Sequence, residues 1–65
     1  MLATIRNHLH DLHVDLRLVE GIWVDLETGK AVSPNFQTTS SARRWLQLRY
    51  RERGTKVEFA PLMAA

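Results

Sequence analysis

The stretch that decides the fold is residues 12–26, LHVDLRLVEGIWVDL, in which apolar and polar residues alternate on either side of Glu20 and Gly21. Alternation with a period of two is typical of strands that bury one face. Gly21 interrupts the alternation and marks a turn between two such runs. The sequence therefore predicts two antiparallel strands joined as a β-hairpin.

The length of the hairpin loop sets which residues face each other. A two-residue loop would place Leu16 opposite Asp25, whereas a three-residue loop places Leu16 opposite Val24. The longer loop pairs apolar residues and puts Gly21 at the last loop position, which commonly takes a left-handed conformation. We therefore predict the three-residue loop, with Leu16 and Val24 facing the core and Trp23 on the exposed face.

The regions before and just after the hairpin have weaker patterns. Residues 31–33 predict a short third strand, which Pro34 stops because proline cannot continue a central strand. In residues 1–10 the apolar residues recur at the spacing of one helix face, so we expect a short N-terminal helix or a loose arm there. Residues 60–65 are expected to form a flexible tail.

A helix is predicted over residues 39–53. Serine and threonine precede it as N-caps, and Gly54 is suited to end it in a left-handed conformation. Its apolar side is formed by Ala42, Trp45, Leu46, Leu48 and Tyr50. Arg49 falls near the middle of that side, either as an aliphatic stem with a charged tip at the edge or as half of a buried ion pair. Residues 55–59 alternate again and predict a last strand.

These elements predict one α+β domain over residues 1–65. Its fold class is a small three- to four-stranded antiparallel sheet with one main helix packed on one face, in the order β-β-β-α-β. The 65 residues suit a single domain, and the absence of cysteine excludes disulfides and cysteine-based zinc sites as supports. Self-association is then one way to gain further burial.

The sequence has no apolar run near the roughly 20 residues that span a bilayer, and its start lacks a signal-peptide apolar region. We expect a soluble, cytoplasmic protein without a membrane partner.

The net charge of +2 conceals an asymmetry between the two halves of the chain. Residues 1–29 contain five acidic and two basic side chains, whereas residues 30–65 contain seven basic and two acidic ones. Five arginines fall between positions 43 and 53. Such a division suggests a polyanionic partner, namely DNA or RNA, or complementary contact between copies of the chain.

One motif within residues 21–45 resembles a known family: Gly21-x-Trp23-Val24, then Gly29-Lys30, then Phe36-x-Thr38-x-x-x-Ala42-x-x-Trp45. It is similar to the arm-type DNA-binding domain of phage integrases and covers about 25 of the 65 residues. The resemblance implies a three-stranded sheet backed by a helix, and DNA recognition by the exposed sheet face.

The predicted helix is better suited to nucleic acid than the predicted sheet face. That face carries Asp15, Asp25 and Glu27 against Arg17, and DNA binding depends on neutralising phosphates with Lys and Arg. The polar side of the helix forms what we call the arginine ridge, which consists of Arg43, Arg44, Gln47 and Arg51. We expect a non-catalytic module that binds nucleic acid through this ridge.

A protein-interaction module, or a homo-oligomer, is the alternative. In it the acidic sheet face or a sheet edge meets the partner. The predicted interface residues are Trp23, Arg17, Asp15 and Asp25.

Three histidines close together raise the question of a metal site. The run His8-Leu-His10-Asp11-Leu-His13 resembles the His-x-His-x-Asp-His motif of the metallo-β-lactamase family, with the acid displaced by one position. On a strand, His8 and His10 would point the same way, whereas on a helix they would point about 200° apart and could not bind one metal ion together. We expect no metal, no cofactor, no catalytic residues and no small-molecule substrate.

Overall fold

Four strands and one α-helix make up the fold in the computed structural model, which describes residues 1–61. The elements are β1 (Leu2–Asn7), a 3-10 turn (His8–His10), β2 (Leu12–Val19), β3 (Ile22–Asp25), α1 (Thr39–Arg49) and β4 (Thr55–Ala60). The strands form one antiparallel sheet in the order β3-β2-β1-β4, and α1 packs on one of its faces. The predicted α+β class, with an antiparallel sheet and one helix, is confirmed.

The N-terminal residues form a central strand of this sheet, so the prediction of a helix or a loose arm over residues 1–10 is wrong. β1 pairs with β2 on one side and with β4 on the other. Ala3, Ile5 and Asn7 are buried on its inner side, toward α1. The alternation typical of a strand is not evident in the sequence, because the inner positions include a small residue, Ala3, and a polar one, Asn7. The only helical turn here is the three-residue 3-10 turn.

The β2–β3 hairpin has the two-residue loop, which corrects the predicted register. Leu16 pairs with Asp25, and Leu18 pairs with Trp23. Glu20 and Gly21 both have positive φ, +49° and +81°, as the common two-residue turn of hairpins requires. Their carbonyls accept hydrogen bonds from Asn35 Nδ2 and Phe36 N.

Burial of the tryptophan explains the register. The shift turns Trp23 to the inner face, where it is fully buried beside Leu16 and Ile5. Val24 moves to the outer face, and Leu26 lies beyond β3 with half of its surface exposed. An indole removes more apolar area from water than a valine or a leucine taken singly, and here its Nε1 also finds an acceptor in α1.

The predicted third strand over residues 31–33 is reduced to a single bridge between Ala31 and Val24. Two backbone hydrogen bonds flank it, from Asp25 N to the carbonyl of Lys30 and from Val32 N to the carbonyl of Trp23. The Ser33 hydroxyl then accepts from Trp23 N, and Pro34 follows. This segment covers the outer edge of β3.

The helix begins where predicted and ends four residues earlier. Thr38 is its N-cap, and the Thr38 hydroxyl accepts a hydrogen bond from Ser41 N. The helix ends at Arg49 with Tyr50 as the C-cap. Gly54 has the predicted left-handed backbone, with φ of +85°, but it lies in the turn into β4 rather than at the helix end. The strand predicted over residues 55–59 is confirmed as β4, which includes Ala60; residues 62–65 of the predicted tail lie outside the described residues.

The core lies between α1 and the inner face of the sheet. Its fully buried apolar residues are Ala3, Ile5, Leu16, Trp23, Ala42 and Leu46. The Trp23 indole Nε1 donates a hydrogen bond of 2.9 Å to the carbonyl of Ala42 in α1. The same side chain thus fills the core and fixes the helix against the sheet.

One buried polar side chain, Asn7, closes the end of the sheet. Its Nδ2 donates to the carbonyl of Arg53 and to the hydroxyl of Thr55, at 3.2 and 2.9 Å. Its Oδ1 accepts from Leu9 N at 2.9 Å. These bonds join the turn after β1 to the turn before β4.

We expect Trp23→Phe to lower the free energy of unfolding by about 2–3 kcal/mol, because it removes the indole hydrogen bond and leaves a cavity. Trp45→Phe is the matched control, since Trp45 is half-buried and packs on Phe36 with ring centroids 5.8 Å apart. It should cost less than about 1 kcal/mol. Urea denaturation followed by circular dichroism measures both, and equal losses would contradict the role given to Trp23.

Glu20→Asn should raise the free energy of unfolding by about 0.5–1 kcal/mol, because asparagine adopts positive φ more readily than glutamate. Glu20→Val should lower it, since a β-branched residue is strained there. Thermal unfolding of the two variants would contradict the two-residue turn if both shifted in the same direction.

Candidate nucleic-acid interface

The orientation of α1 decides which ridge residues reach solvent. Ala42 and Leu46 are fully buried against the sheet. Arg43, Arg44 and Gln47 lie outside this buried stripe, Arg43 on the flank nearest the sheet, and all three are exposed. The helical spacing of the sequence predicts this division, because positions one residue away from a buried one lie about 100° around the axis.

Arg51, the fourth member of the arginine ridge, is not on the helix. Since α1 ends at Arg49, Arg51 lies in the segment between α1 and β4, where it is exposed. The predicted helix is too long because Gly54 resembles a glycine that ends a helix, whereas it lies in the turn into β4. The ridge is therefore a helical patch of three residues, followed in the chain by Arg51 and Arg53.

Two arginines of this region lie over aromatic rings. The guanidinium carbon of Arg43 is 4.8 Å from the ring centroid of Phe59 in β4, and that of Arg49 is 5.5 Å from the ring of Trp45. Arg49 is exposed and has no carboxylate within 4.0 Å among the described residues, so it forms no ion pair with an acid of the sheet. Stacking positions these guanidinium groups while their edges keep hydrogen-bond donors for an anion.

All nine Lys and Arg side chains are exposed. Within residues 1–61 none of them lies within 4.0 Å of a carboxylate oxygen. The short contacts to acids in that part of the chain involve histidines, from His10 to Glu52 at 3.5 Å and from His13 to Asp15 at 3.4 Å. The cations of the C-terminal half therefore form no close ion pairs with carboxylates within the described fold.

The predicted protein interface does not form one surface. Trp23 is buried in the core, and Asp25 shares the register position of buried Leu16, on the inner side. The Asp25 carboxylate accepts hydrogen bonds from Glu27 N at 2.8 Å and Thr28 N at 3.3 Å, which close the turn after β3. Of the four predicted residues, Arg17 and Asp15 remain together on the outer face of the sheet. The one-residue change of register in the hairpin is the physical reason.

The outer face has charged rows that are not evident from the predicted elements, because they involve β1. In one row, Arg6 pairs with His13 on β2 and with Lys56 on β4. The next row places Thr4 between Asp15 and Glu58. The Thr4 hydroxyl donates to an Asp15 carboxylate oxygen at 3.1 Å. The alternation of Thr4 and Arg6 with buried residues was the signal that could have found these rows.

The histidines do not converge. His8 and His10 lie in the 3-10 turn, and His13 lies on the outer face of β2. Within residues 1–61 no group of three or more His, Asp or Glu side chains is placed to hold a metal ion.

Comparison with known proteins gives no relative: no family model, curated protein or solved structure matches the chain. The 11-residue α1 is too short to cross a membrane, and the described part of the chain has no other α-helix.

Arg43→Ala is expected to lower the free energy of unfolding by about 0.5–1 kcal/mol, because it removes the stacking on Phe59. Arg44→Ala, which makes the same change one residue along the helix, should stay within about 0.5 kcal/mol of the parent. Thermal unfolding of both variants in one buffer checks this. Equal stability of the two variants would show that the Arg43 contact does not matter.

Proposed function

We propose that this protein is a non-catalytic module that binds DNA or RNA through the arginine ridge. One observation carries the proposal. All nine Lys and Arg side chains of the protein are exposed, and none lies within 4.0 Å of a carboxylate oxygen within the described fold. Protein–nucleic acid affinity depends on such cations, because each one that meets a phosphate releases condensed counterions.

The three helical residues of the arginine ridge lie close enough together to contact one ligand. Gln47 is three residues after Arg44 and four after Arg43, so the three side chains are neighbours on the helix surface. Arginine and glutamine can both make paired hydrogen bonds to base edges, and arginine also binds phosphate. Arg51 and Arg53 add positive charge just after the helix. The surface can therefore bind phosphates at its arginines and offer an amide to a base.

The outer face of the sheet is less suited to this function. Its cations Arg6, Arg17 and Lys56 alternate with the carboxylates of Asp15 and Glu58 across the strands. Acidic groups in the same surface repel phosphates, so the face offers no continuous path for a nucleic-acid backbone. Burial of Trp23 also removes the aromatic side chain that could have stacked on a base there.

Binding to a short DNA duplex of random sequence should be detectable by fluorescence anisotropy at low salt and should fall steeply as salt rises. With about three phosphate contacts, affinity should drop about 40-fold between 50 and 200 mM salt. A matched RNA duplex and a single-stranded DNA tested in the same way show which nucleic acid binds best. Absence of binding to all three at 50 mM salt would overturn the proposal.

The Arg44→Ala, Arg51→Ala double variant tests the surface itself. Both side chains are exposed, so their removal should leave the fold intact. We expect weaker binding to every sequence and a salt slope reduced in magnitude by about 2. A matched control is Arg17→Ala, on the outer face of the sheet, which should change neither quantity. A larger effect from Arg17→Ala than from the double variant would move the interface to the sheet.

A further inference from the structure

The sheet has one covered edge and one open edge. On the β3 side, Asp25 N and Val32 N bond with the carbonyls of Lys30 and Trp23, so a chain segment lies along that edge. On the other side β4 is the last strand, and within residues 1–61 no strand pairs with its outer edge. The backbone N–H and C=O groups of this six-residue strand that point away from β1 are a template for another strand.

The side chains of β4 are suited to pairing with a copy of the same strand. Thr55, Val57 and Phe59 are half-buried on the side of α1, whereas Lys56 and Glu58 are exposed on the outer face. A lysine in an edge strand usually discourages pairing. Here an acid two residues later on the same face supplies the opposite charge. Two antiparallel copies of the strand can therefore place Lys56 of one copy against Glu58 of the other.

We propose that β4 pairs antiparallel with β4 of a second copy, about a two-fold axis through Val57. The two sheets then become one sheet of eight strands, with both helices on the same side. The interface is isologous and closes after two copies, because the remaining edges are those covered beside β3. This inference does not depend on nucleic-acid binding: of the arginine ridge only Arg43 contacts β4, at Phe59 on the side of α1, whereas the charges that select the register, Lys56 and Glu58, lie on the outer face.

Charge selects this register among its neighbours. Paired residues must point to the same face, so a two-fold axis perpendicular to the sheet passes through a residue pair. An axis through Lys56 would oppose the two lysines, and an axis through Glu58 would oppose the two glutamates. Like charges directly opposite are destabilising. An axis through Val57 places Lys56 opposite Glu58 of the second copy twice.

The rest of the outer face extends the same complementarity. Within one copy, Lys56 lies directly opposite Arg6, an unfavourable pair with no carboxylate within 4.0 Å among the described residues. In the proposed dimer, the row of His13, Arg6 and Lys56 continues into the row of Glu58, Thr4 and Asp15 of the second copy. Pairing thus brings Lys56 the carboxylate that its own sheet does not provide.

The ends of β4 fit the same register. An axis through Val57 pairs Thr55 with Phe59 of the second copy, so the paired segment ends before Pro61. Proline has no backbone N–H and would interrupt a longer ladder. The partner that these features fit is therefore a second copy of this chain.

Charge reversal at the edge is the test, with sedimentation velocity at about 50 mM salt to limit screening. The parent should sediment as a dimer at micromolar concentration. Lys56→Glu and Glu58→Lys, taken singly, should each raise the dimer dissociation constant about tenfold or more, because both cross-copy pairs become repulsive. Combining the two substitutions in one chain should restore the dimer.

Mixing the two single variants separates the interface from effects on folding. One variant then has two acidic side chains on its edge and the other has two basic ones, so the mixture should form a heterodimer while each alone stays monomeric. Lys30→Glu and Glu20→Lys make the same changes of charge away from β4 and should leave the dimer intact. Circular dichroism of each variant confirms that it is folded.

A parent that remains monomeric at high concentration would overturn the proposal and leave the β4 edge to a strand from another protein. A dimer that neither single variant weakens would place the interface elsewhere. Failure of the mixture to form a heterodimer, when both variants are folded, would overturn the register.

Discussion

The indole of Trp23 is the contact on which the rest of the structure depends. It fills the space between the sheet and α1, and its 2.9 Å hydrogen bond to the Ala42 carbonyl fixes the helix. A tryptophan can lie there only if β3 is turned by one position, which requires positive φ at both Glu20 and Gly21. The core gains the larger apolar side chain, and the turn bears a local backbone strain.

The same contact arranges the surfaces on both sides of the core. Because Ala42 faces Trp23, the neighbouring Arg43 and Arg44 must face away from the sheet or over its edge. Because β3 is turned, Asp25 leaves the outer face and closes a turn instead. The exposed arginines of the helix and the mixed charges of the outer face are therefore two results of how one side chain is buried.

Local pattern was enough to predict β2, β3, β4, the start of the helix and most of its buried side. Leu48, which was expected on that side, is 54% exposed. Local pattern failed where a distant contact overrides a local preference. Gly21 fits a three-residue loop as well as a two-residue one, and the choice between them depends on Trp23 meeting α1. β1 was missed because inner Ala3 and Asn7 do not look like core positions. The pairing of Arg6 with Lys56 could not be inferred without β1, and Arg51 was placed on the helix because Gly54 imitates a cap.

The bonds of Asn7 have a consequence for the order of events during synthesis of the chain. Asn7 joins partners 46 and 48 residues away, at the place where β1 meets β4. The β2–β3 hairpin can form from neighbouring residues, but one side of β1 has no partner until almost the whole described chain has left the ribosome. Until β4 emerges, β1 can pair with β2, but its other edge stays unpaired and Ile5 lacks the contacts that bury it in the finished fold. Closing such a long loop slows folding, and aggregation competes with it during this interval.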